Sequence, residues 1–215
     1  MWTIDMTAWE LGEPSPVTLI ANLTQVGLPD GVTALPNEPG VVLLADASGG
    51  KTWRVDTYSG EYGVAIESEI FLPKNPNIPL GVDGIHVIDS LLYFTQFGSN
   101  FLGRVAISPN GSQIGPIEVV ANLTFPDDFA LQDDGTAFVA GANTLWRVSP
   151  QGKVDVLVGG VNDTVLEGAT SAQFGRTEVD KDVLYVGTNG GLLAPVDGIV
   201  HGGQLAAINV GLFAR

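Results

Sequence analysis

Apolar residues along the chain fall in short runs, broken every few positions by glycine, proline or aspartate. No stretch keeps the 3.6-residue spacing of an amphipathic helix, so the pattern predicts many short strands joined by tight turns. The runs recur in a fixed order. Residues 17–24 (VTLIANLT) return as 117–124 (IEVVANLT), and each copy leads through a Pro-Asp step, Pro29-Asp30 or Pro126-Asp127, into apolar strand residues. A second strand follows, Val41 to Ala45 or Thr136 to Ala140. Next comes a Trp-Arg-Val tripeptide (Trp53-Arg54-Val55, Trp146-Arg147-Val148), a turn with Gly60 or Gly152, and a fourth strand.

Weaker copies lie between these two. One begins at Val82-Asp83-Gly84-Ile85, continues through Leu91 to Thr95, and has Gly103-Arg104-Val105 as its third strand. Another begins at Glu167-Gly168-Ala169 and runs through Val183 to Gly187 and Leu205 to Ile208. The tryptophan position of the repeat therefore falls at residues 2, 53, 103, 146 and 206. Four strands in each period of about 50 residues mark a β-propeller, a ring of radial four-stranded blades. A β-sandwich would not repeat its strand order in this way.

The fold class expected is thus all-β, of the six-bladed β-propeller family, as an incomplete ring of four blades plus part of a fifth. Residues 1–215 are read as a single domain, with a partial blade at 1–24 and blades at 25–72, 80–124, 125–160 and 165–211. Because Trp2-Thr3-Ile4-Asp5 matches Trp53-Arg54-Val55-Asp56, the chain is expected to start at a third strand and to lack an N-terminal portion. At this period that portion is on the order of 75 to 100 residues. The blade faces left uncovered would be apolar, and poor solubility is expected.

Composition narrows the partners. Hydrophobic residues make up 45% of the 215 and charged residues 15%, enough apolar material for a large core. The net charge of -15 argues against nucleic acid and against docking on an anionic membrane. A neutral or cationic small molecule, or a metal ion, fits that charge. With no cysteine, a disulfide framework and a thiolate metal site are excluded. No apolar run approaches the length of a transmembrane helix, and the first residues have no signal-peptide pattern. Four Asn-x-Ser/Thr sequons, at Asn22, Asn110, Asn122 and Asn162, point to a secreted glycoprotein or a secretory route for the full-length form.

Several stretches resemble a known family. They are Asp83-Gly84-Ile85 with Leu92-Tyr93-Phe94-Thr95, Asp127-Asp128-Phe129-Ala130, and above all residues 170–177 (TSAQFGRT) followed by 184–188 (LYVGT). The repeat layout resembles the six-bladed propellers of the gluconolactonase and senescence-marker-protein superfamily. Within it, the chain is similar to a fungal group that includes the hetero-Diels–Alderases of meroterpenoid biosynthesis. That resemblance implies a secondary-metabolism pericyclase acting on a small apolar terpenoid or polyketide, as a monomer when full length, with no cofactor required. Superfamily lactonases instead hold a divalent metal through a glutamate, an asparagine and an aspartate. Asp127 lies where their aspartate would be and Asp83 where their asparagine would be. The glutamate has no counterpart here, and Pro29 replaces an asparagine of the substrate site.

In a propeller, the innermost strands line a central channel, and the residues leading into them here are acidic: Asp30, Asp83, Asp127, Asp128 and Glu167. Carboxylates converging on one axis can take Ca²⁺ or another hard divalent cation; aspartate before glycine equally well makes a turn by bonding its own backbone. For a cycloaddition, His86, Gln96, Thr188 and Asn189 are the candidate catalytic hydrogen-bond donors. A lone histidine such as His86 is commonly a packed or surface residue. No Ser-His-Asp set with a spacing signal is present, and Gly-x-Ser-x-Gly is absent. The recurring Trp residues read as packing between blades, and the adjoining Arg54, Arg104 and Arg147 as structural. Three functions stay open at this point: pericyclase, metal-dependent lactonase, and a binding propeller or inactive fragment without catalysis.

Overall fold

The computed structural model describes residues 1–7 and 9–213. Seventeen strands follow one another there: β1 (Trp2–Ile4), β2 (Val17–Leu19), β3 (Pro29–Ala34), β4 (Val41–Asp46), β5 (Lys51–Asp56) and β6 (Tyr62–Glu67). Then come β7 (Val82–Ile88), β8 (Leu91–Gln96), β9 (Phe101–Ile107), β10 (Gln113–Asn122), β11 (Pro126–Leu131) and β12 (Ala137–Gly141). The last are β13 (Thr144–Val148), β14 (Val154–Gly159), β15 (Ala169–Phe174), β16 (Val183–Thr188) and β17 (Leu205–Asn209), before a 3₁₀ turn at Val210–Phe213.

Each sheet is an antiparallel meander of consecutive strands. β3–β6, β7–β10 and β11–β14 form three four-stranded sheets, β15–β17 a three-stranded one, and β1–β2 a two-stranded ribbon. The first strands of successive sheets, β3, β7, β11 and β15, lie side by side in that order. A cross-sheet bond from the Val87 N–H to the Thr33 hydroxyl (3.2 Å) ties the first two together. The all-β propeller arrangement expected from the repeat is the one found, with blades fanned along an arc.

The core lies between sheets rather than inside one, and period-two alternation puts it there. On β8, Leu92 and Phe94 pack toward the preceding sheet while Tyr93 packs toward the following one. On β12, Ala137 and Val139 face back and Phe138 and Ala140 face forward. Both faces of such strands are buried, which is why β12 reads as an unbroken apolar run. Trp146 belongs to one of these layers and Trp53 is likewise buried, as the packing reading requires. Trp2, at the matching position of the two-stranded ribbon, is 64% exposed.

Candidate functional site

The innermost strands share one irregularity. Pro29, Val82 and Pro126 pair with Asp46, Gln96 and Gly141, and regular pairing resumes only at Val32, Ile85 and Phe129, after one extra residue. This β-bulge contains Asp30-Gly31 in the first sheet, Asp83-Gly84 in the second and Asp127-Asp128 in the third. β15 repeats it between Ala169 and Ser171, where Thr170 occupies the place of the aspartates. Thr95, fully buried on β8, holds the second bulge by accepting from the Gly84 N–H (3.0 Å).

Glycine allows the bulges to meet. A Cβ on Gly31 would lie 2.6 Å from the Asp83 carbonyl oxygen, and one on Gly84 would lie 2.9 Å from the Asp128 Cα. Without side chains there, the strands close in, and Asp30, Asp83, Asp127 and Asp128 interact as one electrostatic group. Asp83 is only 3% exposed, and its Oδ1 has no hydrogen-bond donor. Burial, then the charges of Asp127, Asp30 and Asp128, push its carboxyl up to about 9; the proton it keeps is shared toward Asp30. Burial, with the charges of Asp30 and Asp128, raises Asp127 to about 7. Asp30 is open to solvent on one side, yet the protein packed on its inner side and the charge of Asp128 raise it too. His86, on β7, places Nε2 3.4 Å from Asp128 Oδ1 and its ring edge-on to Phe129 at 4.7 Å. Asp128 Oδ1 also accepts the Phe129 N–H (2.8 Å).

The candidates read from the sequence divide into two groups. His86 joins the four aspartates. Thr188 and Asn189 lie instead with Glu167 at the far sheet of the arc, beside a cavity of about 350 Å³ lined also by Thr164, His201 and Gln204. Glu167 had been grouped with the channel aspartates, and the register corrects this: it precedes the β15 bulge, and its Oε1 accepts the Val196 N–H (2.8 Å). No interaction links it to the aspartates among the described residues. A second correction concerns Gln96. Its amide N–H groups donate to the carbonyls of Ile70 (3.0 Å) and Leu72 (2.8 Å), and its oxygen accepts the Ser99 N–H (2.8 Å). Fully buried and with both donors committed, Gln96 clasps loops and has none left for a ligand. Asn189 Oδ1 is occupied by the N–H groups of Gly191 and Leu192, whereas Thr188 keeps its hydroxyl proton after accepting from Gln204.

Thr170 and Asp46 carry no distinguishing mark in the sequence; the pairing register puts Thr170 in the bulge, and the donors around Asp46 come from a separate loop and strand. Oxygen donors such as Asp83 and Asp127 suit a hard cation in type, yet no three His, Cys, Asp or Glu side chains among the described residues are placed to hold one metal ion.

No protein-family model matches the chain. In sequence it is 31% identical, over 82% of its length, to a provisionally named hetero-Diels-Alderase of a Phoma species, covering 56% of that protein. It is 29% identical, over 81% of its length, to another so named from Sarocladium schorii, covering 52%. The chain thus spans about half the length of the named relatives it matches. In fold it is similar to a luciferin-regenerating enzyme, with a TM-score of 0.66 at 15% identity over 90% of this chain and 66% of that one. It is also similar to a gluconolactonase of Xanthomonas campestris, at 0.58 and 14% over 85% and 58%.

Proposed function

We propose that this protein serves a hetero-Diels–Alder cycloaddition, joining a diene of the quinone-methide type to an alkene of a small apolar terpenoid or polyketide. The observation that carries this reading is the similarity, across four-fifths of the chain, to the two proteins named for that reaction. Such a cycloaddition makes one C–C and one C–O bond from three π bonds, with no proton, electron or leaving group to dispose of. No cofactor is required. The protein's part is to hold two apolar partners in reactive geometry and to hydrogen-bond the oxygen that gathers electron density. Thr188, whose hydroxyl keeps its proton at the wall of the cavity of about 350 Å³, is the donor proposed.

The test is adduct formation from a quinone methide generated in solution with a terpenoid alkene. Protein-dependent, stereochemically enriched adduct is expected, unaffected by chelator. Thr188→Ser, which retains the hydroxyl, should keep most of the rate, and Thr188→Val should lose about 10- to 100-fold. Racemic adduct at the background rate would sink the reading.

A second reading, a divalent-metal lactonase, is supported by the buried, donor-free Oδ1 of Asp83 beside Asp127. In it those two carboxylates would ligate Ca²⁺ or a similar ion that polarises a lactone carbonyl. Calorimetric Ca²⁺ binding that Asp127→Ala abolishes would favour it over the first. Either enzyme is proposed to travel the secretory route. All four sequon asparagines are exposed, and endoglycosidase treatment of material from a fungal host should lower the mass.

A further inference from the structure

The connections between the second and third strands of each sheet lie at the same end as the aspartate bulges. They contain four residues after β4, four after β8 and two after β12, but sixteen, residues 189–204, after β16. A connection of that length without regular structure is uncommon in a compact domain and is usually functional. This one is tied to the segment that leads into β15. The Gly190 N–H donates to the Glu167 carbonyl (3.1 Å), and the Val196 N–H donates to Glu167 Oε1 (2.8 Å).

Loop and sheet together border the cavity of about 350 Å³, a volume within the range of small-molecule sites. Besides two glycines, its lining residues are Thr164, Glu167, Thr188, Asp197, His201 and Gln204. Among the described residues the wall thus has two carboxylates, two hydroxyls and an amide, with no lysine, arginine, aliphatic side chain or benzene-type ring. Glu167 is its buried member, with a side chain 4% exposed. The Val196 N–H occupies one carboxylate oxygen. The other, Oε2, accepts no hydrogen bond: His201 Nε2 stands 3.7 Å from it, beyond hydrogen-bonding distance. A carboxylate oxygen drawn out of water and given no donor is costly, and it is an acceptor that a ligand can use.

We propose that this cavity binds a primary ammonium group, which donates to Glu167 Oε2 while Asp197, exposed at the rim, adds a second negative charge. Other ligand classes lack a counterpart in the wall. An anion would meet two carboxylates, and an aliphatic ligand would find no apolar surface. A quaternary ammonium has no N–H to give Oε2 and relies on aromatic faces. A divalent metal needs several placed ligands, and no three His, Cys, Asp or Glu side chains among the described residues are so arranged. A primary ammonium is compact and carries three donors and no acceptor, so carboxylate, hydroxyl and amide oxygens all suit it. The net charge of -15 draws cations toward the molecule. This ligand class goes beyond the cycloaddition reading and does not rest on it, although Thr188 lies in the wall for both.

The experiment titrates butylammonium into the whole chain at neutral pH, followed by saturation-transfer NMR, with butanol and tetramethylammonium as comparators. Butylammonium should bind at least about tenfold more tightly than either. Glu167→Gln keeps an acceptor for the Val196 N–H while removing the charge, and should weaken butylammonium about tenfold. Asp197→Asn alters an exposed side chain, so its fold should survive, and should weaken butylammonium about threefold. Glu61→Gln removes an exposed carboxylate of the first sheet and should leave the affinity unchanged, which separates this site from general attraction to an acidic surface. Equal affinity for butanol or tetramethylammonium, equal effects of Glu61→Gln and Glu167→Gln, or no binding at all would overturn the proposal. The expected binding pattern without adduct formation would remove the cycloaddition and leave this site standing. Adduct formation without the binding pattern would do the reverse.

Discussion

Asp46 and Asp83 are both buried aspartates at the inner end of a sheet, yet their carboxyls are driven in opposite directions. Burial opposes charge at Asp46, but the N–H groups of Gly27, Leu28 and Gly49 and the indole of Trp53 all donate to it and hold it below the ordinary range. Asp83 meets carboxylates instead of donors and is raised. Its folded form therefore binds a proton more tightly than the unfolded chain does. Stability from this group is fully present below about pH 4 and is lost as pH climbs toward 9. Asp83→Asn carries no such proton, so its melting temperature should exceed that of the wild type by a margin that widens from pH 5 to pH 9. The gain should be on the order of 2 kcal/mol at the upper end, read by thermal denaturation across that range. Asp46→Ala should behave otherwise, orphaning the buried Trp53 indole and three partly buried backbone N–H groups and costing about 2–4 kcal/mol in denaturant titrations at neutral pH.

The repeated Trp-Arg-Val element shows which of its positions carry the packing. In the third sheet, Trp146 and Val148 fill the layer toward the preceding sheet while Leu145 fills the layer beyond. The arginines point to the rim: Arg104 pairs with Glu118 directly across the ladder, as Arg147 does with Asp155. Arg54 has Gly63 opposite it and reaches Glu38 instead. Partly exposed pairs of this kind contribute little. Trp146→Ala should cost about 3–5 kcal/mol and Arg104→Ala less than about 1, measured side by side in urea. The strand order and these roles were legible because a buried, two-faced strand imposes its alternation on the sequence. The bulges were not, since an inserted residue changes no composition; only the pairing register shows that Thr170, and not Glu167, stands with the aspartates.

Across the whole molecule, the inter-sheet layers are closed by neighbouring sheets on both sides except at the ends of the arc. β1 and β2 have every residue exposed, including Trp2, Ile4, Val17 and Leu19, and Leu205 on β17 is similarly open. A chain with this surface should self-associate. Light scattering after size exclusion should show species above the monomer mass, and replacing Ile4, Val17 and Leu19 with serine should lower that mass. A sharp monomeric peak with cooperative melting would contradict this.

From the sequence alone came the blade repeat, the strand order, the packing tryptophans and the acidic character of the channel end. Each leaves a periodic or compositional trace, because short-range sterics and burial select residues position by position. Tertiary structure alone decided which acids share a field and which cavity Thr188 and Glu167 line. It also decided that Gln96 is spent on loop carbonyls. Those outcomes depend on distances between strands from different sheets and on which donors happen to face each carboxyl, quantities that no local pattern encodes.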